Sequence, residues 1–197
     1  VRVSTAAGAV GSLVGQIART LGCRAVGLTG DEAKVALCRQ RFGYDDAANY
    51  KGGDLASTVS ALAPDGVDVY FDNVGGPILD CVIRQMNVAG RIVQCGTASI
   101  ANCSPPPVGP RNEREVLTRR LQWGGFVIFD HGDAFPDAQR ELARCLAEGL
   151  LAYEEDIQTG LAHAPGAIAR LYAGENTGKS LIFTGDGLAE ILAGLAG

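Results

Sequence analysis

The sequence contains few of the residues that bind metal ions, and the ones it has are widely spaced. It has 2 histidines, and its 6 cysteines lie 15, 43, 14, 8 and 42 residues apart, without a Cys-x-x-Cys pair. Protein zinc sites combine Cys and His at short spacings, so no metal site is predicted. We predict instead that the cysteines are small buried hydrophobic residues in a reducing compartment, which favours a cytoplasmic location. They are Cys23, Cys38, Cys81, Cys95, Cys103 and Cys145.

Long apolar runs and an excess of positive charge are also absent. The longest stretch without a charged residue, Ile92–Pro110, is rich in Pro, Ser, Asn and Gly, so it is not predicted to cross a membrane. The 17 Lys+Arg and 22 Asp+Glu give a net charge of −5, which argues against binding to nucleic acid or a membrane surface. With 47% hydrophobic and 20% charged residues, the composition is that of a globular protein and excludes disordered, collagen-like and coiled-coil classes.

The 197 residues suffice for one sizeable domain, or for one domain and an appendage. Residue 1 is a valine in a β-branched run, and the only methionine is Met86. We therefore expect the sequence to be a piece of a longer protein, in which any upstream targeting signal lies outside the sequence.

Strand and helix patterns alternate along the chain. Strands are predicted at Val1–Thr5, Arg24–Thr29, Ala47–Tyr50, Val67–Asn73, Arg91–Gly96, Gly125–Phe129, Tyr153–Ile157 and Ser180–Thr184. Helices are predicted over the periodic residues Leu13–Leu21, from Asp31, and over Asp54–Ala63, Ile78–Met86, Glu113–Trp123, Asp137–Glu148 and Pro165–Tyr172. This alternation predicts an α/β fold: a doubly wound parallel sheet of about six strands with helices on both faces, followed by a short C-terminal αβ extension.

A glycine-rich segment, Ala6-x-Gly8-x-x-Gly11, follows the first strand and opens the first helix. In this context Gly8 allows a pyrophosphate to approach the backbone, and Gly11 allows close helix–sheet packing. Gly8, Ala9, Val10 and Gly11 would bind the pyrophosphate at the positive end of the helix. The segment predicts a Rossmann-type dinucleotide site, although Ala6 replaces the usual first glycine.

The end of the second strand indicates which dinucleotide is bound. An NAD enzyme places a carboxylate there, whereas this chain has Thr29-Gly30, and Asp31 is expected to cap the next helix. Lys34 could pair with a 2′-phosphate, and Tyr50 could flank the adenosine. The sequence therefore favours NADP(H).

Several motifs together resemble the medium-chain dehydrogenase/reductase superfamily, and within it the zinc-independent prostaglandin reductases and alkenal double-bond reductases. The motifs are the glycine loop continued through Gly11–Ala18, and Tyr70–Gly76, Cys95–Thr97, Gly109–Arg111, Gly125–Phe129 and Gly174–Lys179. The resemblance extends over about residues 1–184 and implies NADPH-dependent reduction of the C=C bond of α,β-unsaturated aldehydes and ketones. Besides the residues already named, it implies that Asn73, Cys95, Gly96, Thr97, Ser99, Phe126, Val127, Ile128 and Asn176 line the cofactor path.

The chain departs from this family in two respects. The loop Ser99-Ile100-Ala101-Asn102 lacks the tyrosine that many members carry, so no catalytic residue is assigned. The family's N-terminal catalytic domain is also absent, so we expect little or no turnover by the chain alone. The implied organisation is an NADP-binding domain (1–150), a return segment that packs on the N-terminal domain (151–185) and a tail (186–197), either a short amphipathic helix or frayed.

The same sequence features are compatible with two other functions. A quinone oxidoreductase of the same superfamily would share the cofactor half, and a non-catalytic NADP(H)-binding module would share its fold. A small-molecule enal or enone is the expected substrate, and a homodimer the expected assembly. His131 and His163 are expected in surface or loop roles, Asp72 as a turn-stabilising carboxylate, and Trp123 as a packing residue on a helix.

Overall fold

The computed structural model describes residues 1–101, 103–185 and 187. The strands are β1 (Arg2–Ser4), β2 (Val26–Thr29), β3 (Asp46–Asn49), β4 (Val67–Asp72), β5 (Met86–Gln94), β6 (Gln122–Gly125), β7 (Glu155–Thr159) and β8 (Lys179–Phe183). The α-helices are α1 (Ala9–Thr20), α2 (Glu32–Gln40), α3 (Leu55–Leu62), α4 (Gly76–Ile83), α5 (Glu113–Arg119), α6 (Phe135–Ala147) and α7 (Ala164–Ala173). Short 3-10 helices cover Ile128–Ala134 and Leu161–His163.

The first six strands form one parallel sheet in the order β3-β2-β1-β4-β5-β6. This is the strand order of dinucleotide-binding folds, in which the connections reverse direction between β1 and β4. Ligands of such sheets bind at that reversal, beyond the carboxyl ends of the strands. The predicted α/β doubly wound fold is confirmed.

Two buried clusters hold the helices against the sheet. One joins Val3 of β1 to residues of α1 and α2, such as Ala18 and Cys38. The other joins strand residues to α3 and α4 through Val59 and Val82. Because successive strand residues point to opposite faces, the helices cover both sides of the sheet.

Arg2, the residue before Val3 on β1, points to the opposite face of the sheet, towards α3. The Arg2 guanidinium is fully buried and donates to the Val59 carbonyl in α3 at 2.6 Å. Burial lowers the pKa of Arg2 to about 10.

The region between β5 and α6 differs from the prediction. The predicted helix Glu113–Trp123 ends at Arg119, because Arg120 takes a left-handed conformation with φ of 54°. Trp123 therefore lies on β6, which pairs with β5, and its predicted position on a helix was wrong. The strand predicted at Gly125–Phe129 was also wrong, since β6 ends at Gly125 and a 3-10 helix begins at Ile128.

Three further predictions need correction. Strand β5 begins at Met86 rather than Arg91, since Met86 pairs with Val67 of β4, and α4 ends at Ile83. Burial of the cysteines holds for Cys38, whereas Cys103 is exposed and the others are partly buried.

The C-terminal segment forms a small unit against the glycine loop. Strands β7 and β8 pair in parallel, with α7 between them in sequence, and Gly178 bridges to Gly8. The predicted amphipathic pattern of Leu188, Ile191, Leu192 and Leu195 lies outside the described residues. No α-helix in the described part of the chain has the length and apolar character needed to span a bilayer.

Candidate functional site

The glycine loop brings the start of α1 against the carboxyl end of β1. The Gly8 N–H donates to the Thr5 carbonyl at 2.9 Å. A Cβ atom on Gly11 would lie 2.3 Å from the Thr5 oxygen, so only glycine fits there. The first-turn N–H groups of Ala9 and Val10 have no acceptor in a preceding turn, and this turn contains no acidic residue. The loop thus presents free donors and the positive helix end to an anion.

A tyrosine that the sequence reasoning missed packs against this loop and the first turns of α1. The Tyr44 hydroxyl donates to the Gly11 carbonyl at 2.6 Å, and its ring occupies the space that a side chain at Gly15 would need. Burial raises the pKa of Tyr44, so the hydroxyl stays protonated and donating.

The end of β2 carries Thr29 and Gly30, and the first carboxylate after them is that of Asp31. Asp31 is the N-cap of α2 and accepts from the Lys34 N–H at 2.8 Å, which confirms its expected capping role. The Lys34 ammonium bonds to the Gly174 carbonyl and lies 3.4 Å from Asp31 Oδ2. Lys34 therefore already has two oxygen partners within the chain, and its side chain is only 13% exposed.

Lys51 is a second cation at this point, which the sequence reasoning missed. A Cβ atom on Gly30 would lie 3.4 Å from Lys51 Nζ and 3.7 Å from the Tyr50 hydroxyl. Lys51 is exposed and makes no ion pair with the described residues. The available signal was its position directly after Tyr50 at the end of β3, since the ends of parallel strands meet at one edge.

Asp72 organises the end of β4. Its fully buried carboxylate accepts hydrogen bonds from Ser4 Oγ at 3.1 Å, the Tyr70 hydroxyl at 2.9 Å and Gln94 Nε2 at 2.9 Å. The backbone N–H groups of Val74 and Gly75 also donate to it. This confirms the predicted turn-stabilising role of Asp72.

The loops after β4 and β5 are joined by further hydrogen bonds. Asn73 Nδ2 donates to the Ser4 carbonyl at 2.8 Å. The N–H groups of Cys95 and Gly96 donate to the Asp72 carbonyl at 2.8 and 3.1 Å. These contacts bring Asn73, Cys95 and Gly96 together, and burial raises the pKa of the Cys95 thiol, which argues against a thiolate there.

Further predicted site residues lie on the loop after β5 and on the segment after β6. Ser99 Oγ donates to the Val74 carbonyl at 2.7 Å, which anchors the loop that carries Thr97. Phe126 packs edge-on against Phe71 with ring centroids 6.4 Å apart. Its neighbours Val127 and Ile128 are about half exposed.

The segment around Asn176 closes the site on the side of α1. The Gly178 N–H donates to the Ala7 carbonyl at 3.0 Å, and Asn176 Nδ2 donates to the Gly178 carbonyl at 3.0 Å. The structure thus connects Asn176 to the glycine loop through Gly178, whereas no hydrogen bond among the described residues joins Val127 or Ile128 to that loop.

The two histidines occupy the roles expected of them. His131 packs near Phe126, with ring centroids 6.2 Å apart, and His163 ends a 3-10 helix. Across the described ranges, no group of three or more His, Cys, Asp or Glu residues could hold a metal ion.

Comparison with known proteins agrees with this geometry. The family model described as "Zinc-binding dehydrogenase" matches residues 9–144. The chain is 41% identical to the 2-alkenal reductase (NADP(+)-dependent) of Nicotiana tabacum, over 91% of this chain and 52% of that protein. It is 42% identical to prostaglandin reductase 1 of Sus scrofa, over 92% of this chain and 56% of that protein.

A solved structure shares the fold closely. CurA from Vibrio vulnificus, in complex with NADPH, superposes with a TM-score of 0.90 at 35% identity and covers 94% of this chain and 57% of that one. The chain spans about half the length of the curated relatives that it matches. The chain belongs to the zinc-binding dehydrogenase family, within the medium-chain dehydrogenase/reductase superfamily that its motifs indicated.

Proposed function

We propose that this chain is the NADP(H)-binding portion of an oxidoreductase that reduces the C=C bond of α,β-unsaturated aldehydes or ketones. The observation that carries the proposal is the end of β2, where Lys51 Nζ and the Tyr50 hydroxyl lie near Gly30 and the carboxylate of Asp31 caps α2. The substrate class is supported by relatives named 2-alkenal reductase and prostaglandin reductase, and CurA, solved with NADPH, supports the cofactor.

The residues at the carboxyl edge of the sheet fit this cofactor. Gly8–Gly11 would bind the pyrophosphate through free backbone N–H groups at the start of α1. The close packing of Gly11 on Thr5, which excludes a side chain there, holds this loop in place. Lys34, Tyr50 and Lys51 would bind the adenosine 2′-phosphate. The other predicted residues would line the path towards the nicotinamide: Asn73, Cys95, Gly96, Thr97, Ser99, Phe126, Val127, Ile128 and Asn176.

When bound, NADPH supplies the hydride for the substrate's β-carbon. The task of the chain is then orientation, since a substrate held at near-contact distance gains most of the rate enhancement that proximity offers. Asn73 and the Cys95–Ser99 loop are fixed by hydrogen bonds to β1 and β4, so they form a rigid wall. We assign no catalytic residue, because the described loop offers no acid at the expected tyrosine position.

The organisation of the whole protein is part of the proposal. Residues 1–150 form the cofactor domain, and residues 151–185 return to pack on an N-terminal catalytic domain that excludes water from the reaction. The enzyme acts without zinc, as a reduced cytoplasmic protein. We propose a homodimer as the assembly of its subunits.

Two measurements test the proposal. Calorimetric titration of this chain should show NADPH binding at least tenfold tighter than NADH, a difference of about 1.4 kcal/mol. The same protein extended upstream should then oxidise NADPH with small enals and enones. Equal affinity for the two cofactors would refute the cofactor assignment. Turnover with quinones alone, or with no substrate of either class, would refute the reaction class.

A further inference from the structure

We propose that Asp72 is a positioning residue for the nicotinamide half of the cofactor, acting through a hydrogen-bonded chain from Ser4 to Trp123. The inference rests on the proposed function, since it assigns a role within that cofactor site. We call the four residues Ser4, Asp72, Gln94 and Trp123 the carboxyl-edge chain. They lie on β1, β4, β5 and β6, four neighbouring strands of the sheet.

The centre of the carboxyl-edge chain is a buried carboxylate, and no cationic side chain in the described part of the chain pairs with it. Asp72 is fully buried and accepts from five donors, all of them neutral hydroxyl, amide or backbone groups. Burial, and then the Asp72 carboxylate, raise the pKa of Tyr70 well above its ordinary value, so this hydroxyl remains a donor. Because a buried charge is costly unless fully hydrogen-bonded, the five donors must hold their positions.

The donors of Asp72 belong to the loops that approach the cofactor. Ser4 Oγ donates to Asp72 and accepts from the Asn73 N–H at 2.8 Å, which fixes the start of the loop after β4. Gln94 Nε2 donates both to Asp72 at 2.9 Å and to the Gly96 carbonyl at 2.7 Å, which fixes the loop after β5. One carboxylate therefore sets the relative position of Asn73 and Gly96.

Gln94 extends the carboxyl-edge chain to the last strand of the sheet. Its Oε1 accepts from the Trp123 indole N–H at 3.1 Å. Trp123 is the only tryptophan in the sequence and is 43% exposed. Its fluorescence thus reports the hydrogen bonding of Gln94 without interference from another tryptophan.

The strand order predicts that Asp72 affects only one half of the cofactor. In this topology the first three strands bind one nucleotide and the second three bind the other. The adenosine side contains Gly30, Tyr50 and Lys51 at the ends of β2 and β3, whereas the carboxyl-edge chain fixes the loops after β4 and β5. A change at Asp72 should weaken NADPH but not an adenosine fragment. General destabilisation would weaken both.

The test compares NADPH with adenosine 2′,5′-bisphosphate, which carries the 2′-phosphate but no nicotinamide. In Asp72→Asn the side chain keeps its shape, but an NH2 group replaces one acceptor oxygen. This NH2 group must then face other N–H or O–H donors, either those of Gln94 and Gly75 or those that bond to the other oxygen. We expect NADPH to bind about tenfold more weakly, equivalent to about 1.4 kcal/mol, the bisphosphate to bind within twofold of wild type, and the Trp123 emission to change.

A matched control sharpens the test. Asp68→Asn is the control, because Asp68 lies on the same strand but is exposed and accepts from Asn87 Nδ2 at 2.8 Å. This variant should leave all three readings unchanged.

The outcomes separate the inference from the proposed function. If the wild-type chain binds neither ligand, the proposed function fails. If it binds both, and Asp72→Asn weakens both equally or weakens neither, Asp72 has no positioning role. Should Asp72→Asn fail to fold, Ser4→Ala removes one donor to Asp72 and the acceptor of the Asn73 N–H. That variant must bind NADPH more weakly while its affinity for the bisphosphate stays unchanged. Unchanged affinities for both ligands, or equal losses for both, would overturn the inference.

Discussion

The preference for NADPH over NADH should depend on two lysines that differ in their surroundings. Lys51 is exposed, and a unit charge at roughly 4 Å in water contributes about 1 kcal/mol, so a phosphate of charge near −2 gives about 2 kcal/mol before screening. Lys34 is more buried and gains more per contact, but it must weaken its bonds to Gly174 and Asp31. We expect Lys51→Ala and Lys34→Ala each to reduce the NADPH preference about tenfold, or 1.4 kcal/mol.

The assay is calorimetric titration of each variant with NADPH and with NADH at low and at physiological salt. The Lys51 contribution should shrink at the higher ionic strength, because exposed charges are screened more than buried ones. Arg114→Ala removes an exposed cation from α5 and serves as the control, with an unchanged ratio. If both lysine variants keep the wild-type ratio of affinities, the assignment of the 2′-phosphate site to the end of β2 is refuted.

Three further predictions concern metal, turnover and pH. Chelator should leave folding and NADPH binding unchanged, and stoichiometric zinc in elemental analysis of the purified chain would contradict this. The chain alone should bind NADPH but oxidise it with a small enone far more slowly than the protein extended upstream, and comparable turnover would place the whole site within these 197 residues. Burial raises the pKa of Cys38 from 9.0 to about 12, so the folded state disfavours the thiolate and stability falls as pH rises through this range. In Cys38→Ser, the unfolding free energy should fall less steeply between these pH values, by up to about 1.4 kcal/mol per pH unit. The unfolding free energy is measured by chemical denaturation at each pH, and an unchanged dependence on pH would contradict the assignment.

Local patterns were enough to predict the α/β fold and several of its local features. The alternation of strands and helices depends on periodicity and capping, which act over a few residues. For the same reason the close packing at Gly11, the Asp31 cap and the turn carboxylate Asp72 were recognised correctly. Each of these signals lies within one turn of the chain, where neighbouring side chains and backbone determine the conformation.

The tertiary structure decided what depends on pairing between distant segments. Trp123 follows a helical pattern in the sequence, but hydrogen bonding to β5 makes its segment a strand. Lys51 carries no local motif, and it becomes a candidate ligand only because the ends of β2 and β3 meet beside Gly30. Gln94 was not singled out either, since its partners Asp72 and Trp123 lie 22 and 29 residues away. Periodicity and caps describe single elements, whereas these contacts exist only once parallel strands have aligned their carboxyl ends along one edge.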